Sequence, residues 1–367
     1  MDKKIKVIIS GGGTGGHIFP AISIANALRA LRPDAQILFV GAIDRMEMQR
    51  VPAAGYKIKG LPICGFDRQH KLKNSKVLFK IWKSQRMAKK IIKDFKPDVV
   101  VGVGGFASGP TLNTAASMGV PCLIQEQNSY AGVTNKLLAK KAEKICVAYE
   151  GMERFFPAEK IIMTGNPVRQ ALLNTKISRE DAVKSFGLNP EKKTILLLGG
   201  SLGARTINVS VLLHLDLVKS TDVQFIWQTG SYYSAAIAEE LKGENIPNLK
   251  VTDFITDMAT AYKAADLVIS RAGASSISEF CLIGKPVILV PSPNVAEDHQ
   301  TKNALALSSK NAAIHVKDAD APANLLELAV HTVNDDKRLK ELSENVLKLA
   351  LPDSAEIIAK EVIKLVR

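Results

Sequence analysis

The chain has 367 residues, 46% hydrophobic and 23% charged, with a formal net charge of +13. It is long enough for two domains, and it contains no apolar run of the roughly 18 residues that a membrane-spanning helix needs. Cys64, Cys122, Cys146 and Cys281 are scattered without a C-x-x-C pair, which argues against a disulfide framework and a zinc site and fits a reducing cytoplasm. The start "MDKKIKVIIS" is too short in apolar residues for a signal peptide. Charge is placed unevenly: residues 1–168 carry 26 Lys+Arg against 12 Asp+Glu, and residues 169–367 carry 23 against 24. The first half is therefore built to meet something anionic.

In chain order, "KVIIS" reads as a buried strand. It runs into Gly11, Gly12, Gly13, Thr14, Gly15, Gly16 and His17, and helical spacing follows at Ile18, Ile22, Ala25 and Leu28. A glycine turn between a strand and a helix exposes backbone N–H groups at the positive end of a helix dipole, a natural seat for phosphate. The letters satisfy G-x-G-x-x-G through Gly11, Gly13 and Gly16. A dinucleotide fold also needs an acidic residue closing the second strand, but "QILFVG" ends at Gly41 and Asp44 comes later. A tight turn without ligand is the alternative. "RQHKLKNSKVLFKIWKSQRMAKKIIKDFK" follows, with 11 Lys+Arg and 2 acids over residues 67–96. Helical period puts Val77, Ile81, Ala88, Ile91, Ile92 and Phe95 on one face. Leu78, Phe79 and Trp82 fall outside it, among Lys76, Lys80, Lys83 and Arg86. Apolar groups ringed by cations suit an anionic membrane surface better than a duplex groove; a plain solvated face is the alternative.

Next comes the strand "DVVV" and a second glycine turn, Gly102–Pro110, then "PCLIQE", which ends at Glu126 with Asn128 beyond it, then "KICVAY" and "KIIMTG". "GNPVRQ", residues 165–170, reads as a linker. The second half repeats the scheme with "TILLLGGS", "VQFIWQTG", "LKVTDFI", "ADLVIS", "PVILVP" and "AAIHV". Gly199, Gly200, Ser201 and Gly203 form its opening cradle, and Arg205 supplies a charge. Buried strands alternating with helices imply parallel sheets, and two such openings imply two doubly wound α/β domains, 1–168 and 169–351. The amphipathic stretch 352–367, capped by Asp353 or Ser354, is placed to cross back onto the first domain. The turn Arg271–Ser276 lets a pyrophosphate approach a helix N-terminus. Glu279 beyond it can accept hydrogen bonds from a ribose diol, or simply favour the first helical turn. The amides of Gln300 and Asn303 suit sugar hydroxyls. "DAD", Asp318 to Asp320, reads as a helix N-cap region rather than a metal motif.

The segments "GGTGGHIFPA", "GVGGFASGP", "EQNSYAGVTNK", "GNPVR", "GGSLGAR", "DFITDMATAY" and "RAGASSISE" resemble, in order and over essentially the whole chain, the motifs of one bacterial family. Its members are cell-wall glycosyltransferases that add N-acetylglucosamine to undecaprenyl-pyrophosphoryl-N-acetylmuramoyl-pentapeptide, turning lipid I into lipid II. The resemblance implies the GT-B fold, two Rossmann-like domains with a cleft between them. It places Thr14, Gly15, Gly16 and Asn128 beside the reaction centre, with Gly13, Gly104, Gly105 and Ser108 in loops for the acceptor phosphates. It puts Arg169 and Ser201 on the donor nucleotide-sugar and the uracil on the backbone of Ile255. Phosphates and ribose fall to Ala274, Ser275, Ser276, Ile277, Ser278 and Glu279, and the sugar hydroxyls to Gln300. Phe106, Gln125 and His299 depart from the family pattern, where tyrosine, histidine and glutamine are common.

The substrates implied by the resemblance set the chemistry. An α-linked donor and a β-linked product mean inversion, by one in-line attack of the acceptor C4 hydroxyl. A helix N-terminus can stabilise the leaving UDP, so neither metal nor cofactor is expected, and UDP-N-acetylglucosamine is a substrate. The base is His17, whose ordinary pKa of about 6.5 suits proton removal at neutral pH, unless that histidine caps the turn and binds acceptor phosphate; Glu126 and Asn128 are neighbours that could orient or replace it. The expected partners are UDP-N-acetylglucosamine, lipid I and an anionic membrane surface, with no nucleic acid and with room for other cell-wall synthesis or division proteins. The expected location is peripheral, on the cytoplasmic side of the membrane. Two rival readings are a polyanion-binding protein using the basic half and a nucleotide-sugar epimerase sharing the fold.

Overall fold

A computed structural model describes residues 4–64, 74–168, 172–173 and 175–366; the side chains of residues 74–78 and 296 lie outside the description. The chain divides into two compact units, Met1–Val168 with Leu351–Arg367, and Arg169–Ala350.

The first unit holds β1 (Lys6–Ser10), β2 (Gln36–Ala42), β3 (Lys57–Leu61), β4 (Val99–Gly102), β5 (Cys122–Glu126), β6 (Lys144–Val147) and β7 (Ile161–Met163). They form one sheet in the order β3-β2-β1-β4-β5-β6-β7, parallel throughout. Side chains alternate between its faces: Ile8 and Val100 join one core, and Val7, Ile9, Val99 and Val101 the other. The order reverses between β1 and β4, the position where doubly wound sheets bind ligands at their carboxyl edge. Strand β3 was not among the strands read from the sequence. Its "KIKGL" alternates Lys57 and Lys59 with Ile58 on an edge where only Leu61 is buried, so no apolar run marks it.

Helices α1 (Gly15–Leu31), α2 (Glu47–Ala53), α3 (Asn74–Phe95), α4 (Ser108–Ser117) and α5 (Val133–Leu138) connect these strands. At about 100° per residue, Ile18, Ala21, Ala25 and Leu28 centre the buried stripe of α1; Ile24 falls inside it, and Ile22 sits at its margin, only partly buried. In α3, Ala88 and Ile92 are core, and Ile81, Ile91 and Phe95 pack against it, as the helical period predicts; Val77 lies outside the described side chains.

The second unit contains β8 (Thr194–Leu198), β9 (Gln224–Gln228), β10 (Leu249–Thr252), β11 (Leu267–Ser270), β12 (Val287–Leu289) and β13 (Ile314–His315), in the order β10-β9-β8-β11-β12-β13. Its order reverses between β8 and β11, again below a glycine turn. Its helices are α6 (Arg179–Ser185), α7 (Arg205–Leu213), α8 (Leu215–Ser220), α9 (Ser234–Glu240), α10 (Met258–Ala264), α11 (Ala274–Ile283), α12 (His299–Ser308), α13 (Ala321–Asn334) and α14 (Asp336–Leu347). Trp227 is fully buried and donates its indole N–H to Asn208 Oδ1 at 3.0 Å. Leu351 falls with the first unit, and α15 (Ser354–Lys364) packs there: Ile358, Ala359 and Val362 join the core that α1 lines. Asp353 is its N-cap residue without a side-chain capping bond, and Ser354 donates its hydroxyl to Leu351 O.

Candidate active site

The two glycine turns of the first unit follow neighbouring strands and touch backbone to backbone. A Cβ on Gly105 would stand 2.2 Å from Gly12 O, and one on Gly11 would stand 2.8 Å from Gly104 O. Gly104 and Gly105 both have positive φ, 87° and 82°. These glycines are needed for the approach itself. Ser108, expected to face an acceptor phosphate, is instead fully buried; its hydroxyl lies 2.6 Å from Ser10 O and 2.9 Å from Gly104 O, tying the two turns together. Gly13 also departs from expectation: its N–H donates to Glu47 Oε2 at 2.9 Å.

Helix α1 begins at Gly15, with Thr14 as an extended N-cap residue. Gly15 and Gly16 are thus its first two residues, whose N–H groups have no partner within the helix. Thr14 Oγ1 lies 3.1 Å from His17 Nδ1. The other edge of the ring sits over the second turn, where a Cβ on Gly104 would stand 2.9 Å from Cδ2 and 3.0 Å from Nε2. His17 is therefore fixed between the N-cap and the neighbouring turn.

Glu126 ends β5 and is 1% exposed. Its Oε1 accepts from Asn128 N–H at 3.1 Å; its Oε2 accepts from Gly132 N–H at 3.0 Å and Asn135 Nδ2 at 2.9 Å. Burial raises its pKa above the usual 4.5, outweighing those donors. This carboxylate shapes the loop that carries Asn128 and does not face solvent as a replacement base. Gln125, at a position where histidine is common in the resembled family, is a fully buried amide that donates to Asn166 Oδ1 at 3.0 Å; Asn166 donates in turn to Gln127 O at 2.9 Å. Exposed Phe106 lies beside Gly13.

In the second unit, the cradle after β8 leans on the turn after β9. A Cβ on Gly203 would stand 2.2 Å from Thr229 O, and Ser201 O accepts from Ser231 N–H at 3.1 Å. Ser201 and Arg205 are exposed. The turn after β11 leads to α11, which starts at Ala274 with Gly273 as N-cap residue. Ser275 Oγ is buried with no hydrogen-bond partner among the described residues, an unmet polar group that a ligand could satisfy. Ser278 donates its hydroxyl to Ala274 O at 3.0 Å. Glu279 is the sixth residue of α11, beyond its first turn, so a simple first-turn charge is not its role; it is 4% exposed and accepts from Tyr262 O–H at 3.0 Å. Tyr262 was missed in the sequence, although "DFITDMATAY" contains it.

Asp318, read from the sequence as part of a helix N-cap region, has a different role. It pairs with Arg271 and accepts from Thr206 Oγ1 at 2.9 Å, while Arg271 donates to Val290 O at 3.1 Å. It thereby joins the turn before α11 to the helix after the glycine cradle, instead of capping a helix; the N-cap residue of α13 is Asp320, without a side-chain capping bond. Gln300 Oε1 accepts from Ser292 N–H at 2.9 Å, which fixes its amide. Asn303, read as a sugar ligand, is fully buried and donates to Ala272 O at 3.3 Å. The side chain of Ile255 is buried just past β10. Glu297 and Asp298 hold left-handed φ of 58° and 50° ahead of α12, a local strain of the kind stored near functional sites. Arg169 lies outside the described residues.

On α3, Phe79 is 62% exposed and Trp82 50% exposed. Their rings stack at 5.9 Å, and Arg86 sits over Trp82 at 4.5 Å. Lys80 and Lys83 are exposed beside them; the side chains of Lys76 and Leu78 lie outside the described ones. Among the described residues no helix is long and apolar enough to cross a membrane, and no cluster of His, Cys, Asp and Glu could hold a metal ion.

Residues 7–147 match the glycosyltransferase family 28 N-terminal domain and residues 194–358 its C-terminal domain. Over 363 residues, 98% of this chain and 96% of the relative, the sequence is 70% identical to a protein of Bacteroides fragilis. That relative is named UDP-N-acetylglucosamine--N-acetylmuramyl-(pentapeptide) pyrophosphoryl-undecaprenol N-acetylglucosamine transferase. The chain belongs to this glycosyltransferase family. A Bacteroides thetaiotaomicron protein of the same name is 68% identical over 367 residues, covering 100% of this chain and 99% of the relative. The crystal structure of Acinetobacter baumannii MurG superposes with a TM-score of 0.77 at 29% identity, covering 98% of this chain and 99% of that one. Family membership makes the chain a hexosyltransferase acting with a UDP-sugar and sets aside the epimerase and polyanion-binding readings.

Proposed function

We propose that the chain moves N-acetylglucosamine from UDP-N-acetylglucosamine to the C4 hydroxyl of undecaprenyl-pyrophosphoryl-N-acetylmuramoyl-pentapeptide, converting lipid I to lipid II. The observation that carries the donor half is the start of α11, where the unpartnered Ser275 hydroxyl and the buried, Tyr262-held Glu279 lie on one helix. The α11 N-terminus, from Ala274 to Ser276, meets the phosphates and takes up the charge that grows on the leaving UDP; Glu279 accepts from the ribose diol. Ser201 and Arg169 contact the nucleotide-sugar, the Ile255 backbone receives the uracil, and Gln300 the sugar hydroxyls.

In the transfer, the acceptor O4 attacks the anomeric carbon from the face opposite UDP. The new C–O bond forms as the bond to the phosphate oxygen breaks, and the configuration inverts. The O4 proton goes to His17 Nε2, with Nδ1–H donated to Thr14 Oγ1. The N–H groups of Gly15 and Gly16 face the acceptor phosphates, and Asn128, set by Glu126, stands beside the reaction centre. The chemistry needs no metal and no cofactor. The basic first unit works peripherally at the cytoplasmic face of the membrane, with Phe79 and Trp82 in the headgroup region and Lys80, Lys83 and Arg86 on anionic lipid. Incubation of labelled donor with and without the lipid-linked acceptor, with a chelator in a parallel arm, tests this. Acceptor-dependent UDP release that survives chelation is expected. Acceptor-independent conversion of the donor, or activity restored by one metal alone, would contradict it.

A further inference from the structure

We infer that Glu47 is a positioning residue for the glycosyl transfer, acting through the first glycine turn. It is 1% exposed and opens α2, outside every motif discussed above. Its carboxylate accepts two backbone N–H bonds, from Gly13 to Oε2 and from Ala42 to Oε1, each at 2.9 Å. Two glycines clear space for it: a Cβ on Gly12 would stand 2.2 Å from Oε1, and one on Gly41 would stand 2.6 Å from its Cγ. Gly12 and Gly13 also have positive φ, 144° and 90°. A bent turn presenting N–H groups is an anion nest, and here a carboxylate from the chain itself fills part of it.

Two consequences follow. The Gly13 N–H is committed to Glu47, so an acceptor phosphate meets the turn at Gly15 and Gly16 instead. Gly13 also directly precedes Thr14, so the bond from Glu47 sets where the N-cap, the start of α1 and the Thr14–His17 pair stand. Burying a carboxylate is costly unless its hydrogen bonds are made, and this one is spent beside the proposed acceptor site instead of in the core. The inference rests on the proposed transfer, and its test keeps the two apart.

Glu47→Gln keeps the shape but turns an amide N–H₂ toward one of the two N–H donors. Rates are measured well below the melting transition and normalised to the protein whose first unit is folded, and UDP affinity, which reports the other unit, is measured beside them. We expect kcat to fall by about 10–100-fold, the scale of a small misplacement of reacting groups, with UDP affinity unchanged. Glu47→Asp, which retains the charge, should recover part of the rate and serves as the test if Glu47→Gln does not fold. A merely structural role predicts a lower melting temperature with normal kcat per molecule whose first unit is folded, and that result overturns the inference. If the wild type transfers no sugar, the proposed function fails; if the wild type transfers and both variants match it, only the role of Glu47 fails.

Discussion

Glu279→Gln probes the donor site most sharply. The wild-type carboxylate is buried, and Tyr262 O–H donates to Oε2 at 3.0 Å, so the side chain is oriented before any ligand arrives. A hydrogen bond to a charged group contributes about 1.5–3 kcal/mol. The substituted side chain keeps one acceptor oxygen but loses the charge, and its amide N–H₂ faces either Tyr262 or the diol. The loss of one charge-assisted bond converts to a UDP dissociation constant raised about 10- to 140-fold, at 1.4 kcal/mol per decade. Calorimetric titration of UDP and of 2′-deoxy-UDP reads this directly, with melting temperature as the check on folding. Wild type should favour UDP over the deoxy analogue, and Glu279→Gln should lose most of that preference. Equal UDP affinity in the two folded proteins, or an undiminished preference for UDP in the variant, refutes the ribose role.

His17→Ala should lower kcat by about 10²–10⁴-fold, the usual contribution of a general base, while donor affinity holds; the limb of the wild-type pH profile that reports the base should vanish, and its persistence would move the base elsewhere. Phe79→Ser with Trp82→Ser should cut binding to anionic vesicles and activity on membrane-embedded acceptor, yet spare activity on a short-chain soluble acceptor; unchanged vesicle binding refutes the patch as anchor. Glu126→Gln keeps the shape of the side chain while removing its ionisable group. Because burial raises the folded pKa of Glu126 above its unfolded value, its stabilising contribution is full below pH 4.5 and is lost as pH rises through the folded pKa. Melting curves of the variant should therefore lack that part of the pH dependence, and an unchanged dependence contradicts the assignment.

Much of the fold was legible because buried parallel strands are continuous apolar runs, as in "TILLL" and "DVVV". Strand β3 was hidden because an edge strand needs only one buried residue and its lysines break the pattern. The glycine turns were legible as places without side chains, but not their reason. Gly11 and Gly105 serve the contact between two loops nearly a hundred residues apart, and Gly12 and Gly41 make room for Glu47. Sequence shows which groups can bind an anion, not which are already spent on the chain itself. For that reason Ser108 and Gly13 were placed in acceptor-phosphate loops, Asn303 on the sugar and Asp318 in a helix N-cap, while Glu47 and Tyr262, which orient their neighbours through long-range bonds, passed unnoticed. On α3 the core face and the exposure of Phe79 and Trp82 were legible because one period of 3.6 separates them.

The most direct test of the account is the product itself. The purified protein is incubated with UDP-N-acetylglucosamine and undecaprenyl-pyrophosphoryl-N-acetylmuramoyl-pentapeptide in anionic vesicles, and the lipid fraction is analysed by mass and by proton coupling at the new anomeric centre. The account predicts the acceptor heavier by one N-acetylglucosamine residue, β-linked at C4, with one UDP released per sugar transferred. Unmodified acceptor alongside released UDP, or an α-linked product, would contradict it.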